Sequence, residues 1–540
     1  MRQFCHLYGQ LDRSEGSVER VRVLADHLSA ADPADAAWTV HLLLGKQRRR
    51  LITAARLRQA AIAVSGLPAW LVEACHSQVG DTAETIALLL AAERSSSDAT
   101  APDPLPLQHW MEVELPRLAA LGEEAQAEAL QAHWKRLASE EVLVLNKLLT
   151  GAFRVGVGPA LVVRALARCS GVEEARLQHR LMGNFLPSAD AYRALVAPCG
   201  DDALPPGQPY PFLLACPLDP ARLEGSDPAA WLVEWKWDGI RGQLIRRAGT
   251  SFLWSRGQDL LNSAFPELIA LADQLEEGTV LDGEVLIWPE GDGQPRPFAE
   301  LQRRLGRRQI APKLLRELPG CYVAYDLLEG RGEDLRSLPL QERRRRLEQM
   351  LERRPLASLR RSDPLALPHW PALEEHRRNA RAAGAEGVML KALASTYVSG
   401  RRQGHWWKHK LEPLRLDAVL LYARSGSGRR ANLYTDYTFG LWTEGDGRRL
   451  VSFASAYSGL NDAEILELDR WIRRHTTERF GPVRAVEPEL VFELAFEGVQ
   501  RSGRHRSGLA VRFPRISRWR RDKPAAEADT VAAALTLIQP

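Results

Sequence analysis

Up to about residue 193, leucine and alanine recur with helical spacing, as at 83–90 and 134–149, which predicts a mostly α-helical first part. Residues 198–220, rich in proline, glycine and aspartate, break that pattern and read as a linker, whereas 95–107 reads as a loop within the helical part. After Trp231 the period shortens. Short β-like runs at 232–236, 242–246, 279–287, 322–328 and 387–391 alternate with helical stretches and predict an α+β part. From Leu416 onward, strand-like runs at 417–422, 437–442, 450–456 and 490–496, with one helix at 462–475, fit a small β-barrel. The expected fold class is therefore multidomain, with boundaries at 1–200, 201–412 and 413–540. No internal repeat interrupts this order.

Composition changes the picture in only a few places. A chain of 540 residues has room for several domains, each with its own core, at roughly 150 residues per domain. The net charge of +4 does not announce a polyanionic partner, but its distribution does. Arg501, Arg504, Arg506, Arg512, Arg515, Arg518, Arg520, Arg521 and Lys523 face a single acid, Asp522, within 501–523. Two further arginine runs occur, Arg303, Arg304, Arg307 and Arg308, and Arg343 to Arg346; the second lies in a helix-like segment and reads as a solvated face. The six cysteines are scattered singly, without C-x-x-C spacing, which argues against a zinc site or a disulfide framework. The longest apolar runs, such as 86–92, fall far short of the roughly 18 residues of a membrane span, so the protein is expected in the cytoplasm.

Candidate chemistry concentrates in Glu234-Trp235-Lys236-Trp237-Asp238-Gly239-Ile240-Arg241, which offers one lysine among an acid, a glycine and an arginine at a strand end. A lysine amine is nucleophilic only when unprotonated, so such a site needs nearby cations or desolvation to lower a pKa of about 10.4. Trp406-Trp407-Lys408-His409-Lys410 supplies two lysines on one face of a strand, since alternate residues project the same way. Taken alone, a lysine-x-aspartate-glycine run reads as an exposed turn.

The wider series removes that ambiguity. Lys236-Trp237-Asp238-Gly239, Ser255-Arg256-Gly257, Asp282-Gly283-Glu284, Tyr325-Asp326-Leu327-Leu328, Glu386-Gly387-Val388-Met389-Leu390-Lys391, Trp407-Lys408-His409-Lys410 and Arg512-Phe513-Pro514-Arg515 occur in this order. The series resembles the covalent nucleotidyltransferases, specifically the ATP-dependent DNA ligases, over about 234–523. Upstream, Leu145-Asn146-Lys147-Leu148-Leu149-Thr150-Gly151-Ala152-Phe153-Arg154-Val155-Gly156-Val157 resembles the signature of the helical DNA-binding domain of cellular ligases.

The resemblance implies a helical DNA-binding domain, an α+β adenylation domain and a C-terminal OB-fold, acting as a monomer on nicked duplex DNA with ATP and Mg²⁺. It implies that Lys236 attacks the α-phosphorus of ATP to form lysyl-AMP, with Lys408 and Lys410 neutralising the phosphate. Gly239 is expected to let backbone approach the nucleotide, and Arg241 and Arg256 to present forked donors to phosphate or ribose. Glu284 and Glu386 are the expected Mg²⁺ ligands. Tyr325 stands where the family stacks a ring on adenine, more often phenylalanine. Glu234 is expected to help read adenine, and Lys391 and Arg402 to add nucleotide contacts. Arg512 and Arg515, with Asp522 and Lys523, match the last ligase motif, which orients the leaving pyrophosphate from a mobile C-terminal domain. In the helical part, Lys147, Arg154, Gly151, Gly156 and Gly158 are expected near DNA phosphates, a mode of contact that carries no sequence information.

Other uses of the same lysine chemistry stay open at this point. An RNA ligase or an mRNA-capping guanylyltransferase lacks such a helical domain, and an NAD-dependent ligase carries a four-cysteine zinc module that this chain does not. A catalytically dead nucleic-acid scaffold conflicts with the retention of Lys236, Glu284, Lys408 and Lys410.

Overall fold

The structure is a computed structural model, and it describes residues 1–14, 16–45, 50–92, 105–153, 155–181, 185–198, 206–305, 307, 310–426, 433–445, 447–503 and 505–538. Two compact units separate: Met1–Val162 with Glu412–Pro540, and Val163–Leu411.

The described residues up to 162 are mostly helical, as the periodicity predicts. Pro33–Leu43 begins at an Asp32 cap whose carboxylate accepts from the Ala34 N–H at 2.9 Å, with proline as its first residue, where a missing N–H is harmless. The single helical run expected over 134–149 is instead two helices, Glu123–Arg136 and Ser139–Thr150. Leu137 leaves helical geometry, and the Glu141 carboxylate reaches back to the Ala138 N–H at 2.8 Å, which starts a new helix. The two helices are stitched together in the core by the Trp134 indole, which donates to Asn146 Oδ1 at 3.1 Å. Most of the loop expected at 95–107 lies outside the described residues. Its last residue, Leu107, opens a helical turn whose N–H, with that of Gln108, donates to the Asp35 carboxylate.

In the second unit the chain builds two antiparallel-rich sheets. In chain order their main elements are β1 (Trp231–Trp237), β2 (Ile240–Arg247), β3 (Thr250–Ser255), β4 (Thr279–Ile287), β5 (Gly320–Gly330), α1 (Leu340–Arg353), α2 (Trp370–Asn379), β6 (Ala385–Ala392) and β7 (Trp406–Lys410). The five-stranded sheet runs Pro364–Leu365, β1, β6, β7, Cys216–Pro217, and the six-stranded one β3, β2, β4, β5, Glu333–Asp334, with Leu359–Arg361 joining β5. The stretch read as linker thus contributes Cys216–Pro217 as a short parallel edge strand, Cys216 lying opposite Trp407, and Leu213–Leu214, which pairs with Gly400–Arg401 in a separate two-stranded parallel sheet.

A core of Tyr210, Leu213, Ile245, Val280, Tyr325, Leu328, Tyr397 and Trp406 joins the two sheets. The opposite face of the five-stranded sheet is covered by α2, where Val233, Leu373, Val388, Leu390 and Trp407 pack together. The arginine run of α1 is only half solvated. Arg345 and Arg346 are paired at the surface with Glu342, whereas Arg343 and Arg344 are buried. Arg343 makes a two-pronged pair with Asp326. A helix that packs on a sheet turns one stripe inward, and two adjacent arginines fall on that stripe. Arg304, from the other run, is likewise buried against Glu267.

The C-terminal part is strand-rich. Leu450–Ala456, Tyr434–Trp442, Leu414–Ser425, Val483–Val486 and Thr476–Phe480 are neighbours in that order, and Val491–Phe496 pairs with both Leu414–Ser425 and Arg515–Trp519. Its longer helix, Asp462–Arg474, is set by Asn461 and Glu464 in a reciprocal cap and buries Ile465, Leu468 and Ile472; a second, Val531–Thr536, follows near the end. Among the described residues no helix is long and apolar enough to cross a membrane.

Candidate active site

Alternation along β1, β6 and β7 sends Glu234, Lys236, Met389, Lys391, Trp406, Lys408 and Lys410 to one face of the five-stranded sheet, the face that looks toward the six-stranded one. The register supports this directly: Met389 lies opposite both Glu234 and Lys408, and Gly387 opposite Lys410. Glu386 would point the other way in an unbroken strand. A bulge between Ala385 and Val388 sets two residues of β6 against Lys236 and re-aims the Glu386 carboxylate. Gly387 makes that bulge possible. Its φ of 146° suits glycine, and a Cβ there would lie 2.3 Å from the His409 carbonyl oxygen.

The result is a close charged cluster. Glu386 Oε1 accepts from the Lys236 ammonium, and Glu386 Oε2 pairs with Lys410 Nζ at 3.3 Å. Burial pushes the Glu386 carboxyl up, but Lys236 and Lys410 outweigh it and hold the group below its usual range. Glu284 comes from β4 in the facing sheet. Burial drives its carboxyl up to about 8, against the pull of Lys236 and Arg241. Lys408 is lowered by burial and then by Lys410 and Lys236. Three lysines and two carboxylates therefore share one half-buried site, whose ammonium groups suit an anionic phosphate and whose carboxylate oxygens suit a hard cation.

Behind this cluster lies a buried group of aromatic rings. Tyr325 meets Trp406 edge-on at 6.1 Å between ring centres, and the Lys391 ammonium sits 3.9 Å from the Tyr325 ring centre. Lys391 is almost fully buried and pairs with Glu234 Oε2 at 2.5 Å, while Arg344 donates to Glu234 Oε1 at 2.7 Å. Arg241 gives its fork to Asp282, at 3.1 and 2.7 Å, and a further donor to the Leu213 carbonyl at 2.8 Å. Tyr397 donates to the same Asp282 carboxylate at 2.7 Å. Three residues expected to touch nucleotide, Glu234, Arg241 and Lys391, thus have buried protein partners here. Gly239 likewise serves a protein contact: a Cβ on it would lie 2.4 Å from the Val285 carbonyl and 2.8 Å from Glu284 Cγ. Its close approach is to β4.

Arg256 stands exposed on a turn and Arg402 exposed just after strand Gly400–Arg401, and the Arg256 N–H donates to the Arg241 carbonyl at 2.9 Å. Arg512 and Arg515 belong to the C-terminal part, Arg515 on strand Arg515–Trp519 and Arg512 beside the exposed Phe513 ring. Lys523 and Arg520 pair with Asp417, and Arg520 also grips Asp522. In the helical part Lys147 pairs with Asp81 at 3.0 Å, and the Arg20 guanidinium donates to the Gly156 carbonyl. Arg154, Arg308 and Arg504 lie outside the described residues.

For four residues of this constellation the sequence gives no sign of the role they take. Asp282, Tyr397, Arg344 and Trp406 act through burial and partner geometry, which no local motif encodes; Asp282 was visible only as the first letter of Asp282-Gly283-Glu284.

Three family models match the chain: DNA ligase N terminus over 1–167, ATP dependent DNA ligase domain over 214–410, and ATP dependent DNA ligase C terminal region over 430–523. A "Probable DNA ligase" of Koribacter versatilis (strain Ellin345) is 32% identical, covering 96% of this chain and 92% of its own. A "DNA ligase" of Methanothrix thermoacetophila is 29% identical over 98% of this chain and 96% of its own. The solved structure "Pmar-Lig_Pre" shares the fold, with a TM-score of 0.61 at 14% identity, covering 96% of this chain and 99% of that one.

Proposed function

The chain belongs to the ATP-dependent DNA ligases, and from that premise we propose that Lys236 is the amine that carries AMP between ATP and the nick. The observation that supports this most is the Glu386 carboxylate bridging Lys236 and Lys410, with Lys408 on the same sheet face, opposite Glu284. In the first step the Lys236 nitrogen bonds to the α-phosphorus of ATP, the bond to pyrophosphate breaks, and the amine proton is released. Glu386 orients the side chain beforehand. Lys408 and Lys410 take up the charge that grows on the phosphate oxygens. AMP then passes to the 5′-phosphate of the nick, and the 3′-hydroxyl displaces it as the phosphodiester forms.

Tyr325 offers its ring to adenine, with Lys391 and Glu234 held beneath it as a preset floor. Arg241 acts as a strut between β2 and β4 that also faces the nucleotide, and Arg256 and Arg402 reach the sugar and phosphates from exposed positions. Arg512 and Arg515 orient the pyrophosphate. Glu284 and Glu386 fit Mg²⁺, being hard carboxylate oxygens close enough to feel each other's charge. When bound, the ion would add positive charge against the phosphates. On the same reading, 1–200 grips duplex DNA, 201–412 performs adenylation and 413–540 is an OB-fold; the enzyme works as a cytoplasmic monomer.

The test is to incubate the protein with α-labelled ATP and Mg²⁺ and then add nicked duplex DNA. Label should stay on denatured wild-type protein, be missing from Lys236→Ala, and be discharged with sealing. Label retained by Lys236→Ala would refute the assignment.

A further inference from the structure

The rear face of the five-stranded sheet holds a polar linkage that the reaction itself does not use. On β7, His409 lies between Lys408 and Lys410 and so projects away from the site, toward α2. Its Nε2–H donates to Glu374 Oε2 at 3.1 Å. Arg377, one turn further along α2, grips the same carboxylate with Nε at 3.0 and 2.9 Å and Nη2 at 2.5 Å. Its Nη1 donates to the Lys410 main-chain carbonyl at 3.3 Å. The same helix also meets β1, where the Trp235 ring touches the His376 ring edge-on at 6.2 Å. Trp235 directly precedes Lys236. One helix therefore holds the strand bearing Lys236 and the strand bearing Lys408 and Lys410, from behind, at the residues adjoining each lysine.

We propose that Glu374, Arg377 and His409 are positioning residues that fix where Lys408 and Lys410 stand relative to Lys236. The physical need is plain. Lys408 and Lys410 sit near the end of β7, and three ammonium groups gathered in one site repel each other. A strand end carrying two of them would relax outward unless something ties it down. The buried core beneath secures Trp407, and the Leu411 N–H donates to the Glu386 carbonyl at 3.0 Å; at Lys410, where β7 ends, the Arg377 bond adds a restraint from the helix side. Arg377 and Glu374 touch no reacting atom, so their effect passes wholly through the lysines.

This inference rests on the assignment of Lys236 as nucleophile, and the experiment separates the two. Single-turnover adenylation of the full chain is followed with labelled ATP for wild type, Arg377→Ala, Glu374→Gln and Lys236→Ala, recording rate constant, amplitude and KM for ATP. Positioning predicts that Arg377→Ala slows the rate constant about 10-fold or more at saturating ATP, with the amplitude kept, because small misplacements cost that much. Glu374→Gln, which keeps the shape and a weaker bond to His409, should fall in between. A purely structural role would lower the amplitude, as misfolded protein is lost, and leave the rate constant of the surviving fraction unchanged. That result, or wild-type rates in both variants, overturns the proposal. Should Arg377→Ala fail to fold, the Glu374→Gln rate constant decides alone. If Lys236→Ala itself becomes labelled, the nucleophile assignment is what has failed.

Discussion

The two faces of the five-stranded sheet are built from the same three strands and obey opposite rules. Toward the six-stranded sheet stand Glu234, Lys236, Lys391, Lys408 and Lys410, charges brought close and only partly matched. Toward α2 stand Val233, Val388, Leu390 and Trp407, closely packed. Strand alternation lets one sequence do both, because each residue's neighbours in the chain belong to the other face. The rear face supplies stability, and the front face spends some of it to hold like charges and a buried carboxyl in place.

Substitutions should divide along the same line. Trp407→Ala removes a large side chain that is 4% exposed, on the rear face, and should lower stability by about 4 kcal/mol, read by denaturant unfolding. Gly387→Ala strains the bulge where the two faces meet. It should cost about 2 kcal/mol and also slow adenylation, since Glu386 loses its aim at Lys236. Glu284→Gln should behave in the opposite sense and stabilise the fold while disabling the enzyme. A carboxyl raised from 4.5 to about 8 by folding binds more protons in the folded state, so wild-type stability falls as pH rises through that window. The gain in thermal midpoint from Glu284→Gln, with EDTA present, should be absent near pH 4.5 and full by about pH 9. A gain that shrinks as pH rises would break the comparison. Arg345→Ala, on the solvated side of α1, should leave midpoint and activity unchanged.

What could be read from the chain follows the same division. The bounds of strands 279–287 and 450–456 are legible to the residue, because apolar and β-branched residues recur in a short run that turn-forming residues bound. The charged front face was legible because its residues are chemically unusual for a sheet and recur in a fixed order. Arg343 and Arg344 were misjudged as solvated, since a run of four arginines looks the same whether or not two of them face Asp326 and Glu234. The break at Leu137 was missed because leucine fits a helix, and only the cap at Ala138 reveals the new start. Gly239 comes close to β4, a contact the sequence does not reveal, since a glycine shows that something comes close without showing what. The brace on α2 was invisible, because Glu374, Arg377 and His409 are ordinary surface residues until β7 is laid beside the helix.

The central claim is that one amine, on the charged face, carries AMP. The most direct test is to react the wild-type protein with ATP and Mg²⁺ in the absence of DNA, digest it, and locate the adenylate by peptide mass spectrometry. The account predicts the adduct on Lys236 alone, with Lys408 and Lys410 unmodified. Adenylate on either of those lysines, or on any residue outside β1, would contradict it.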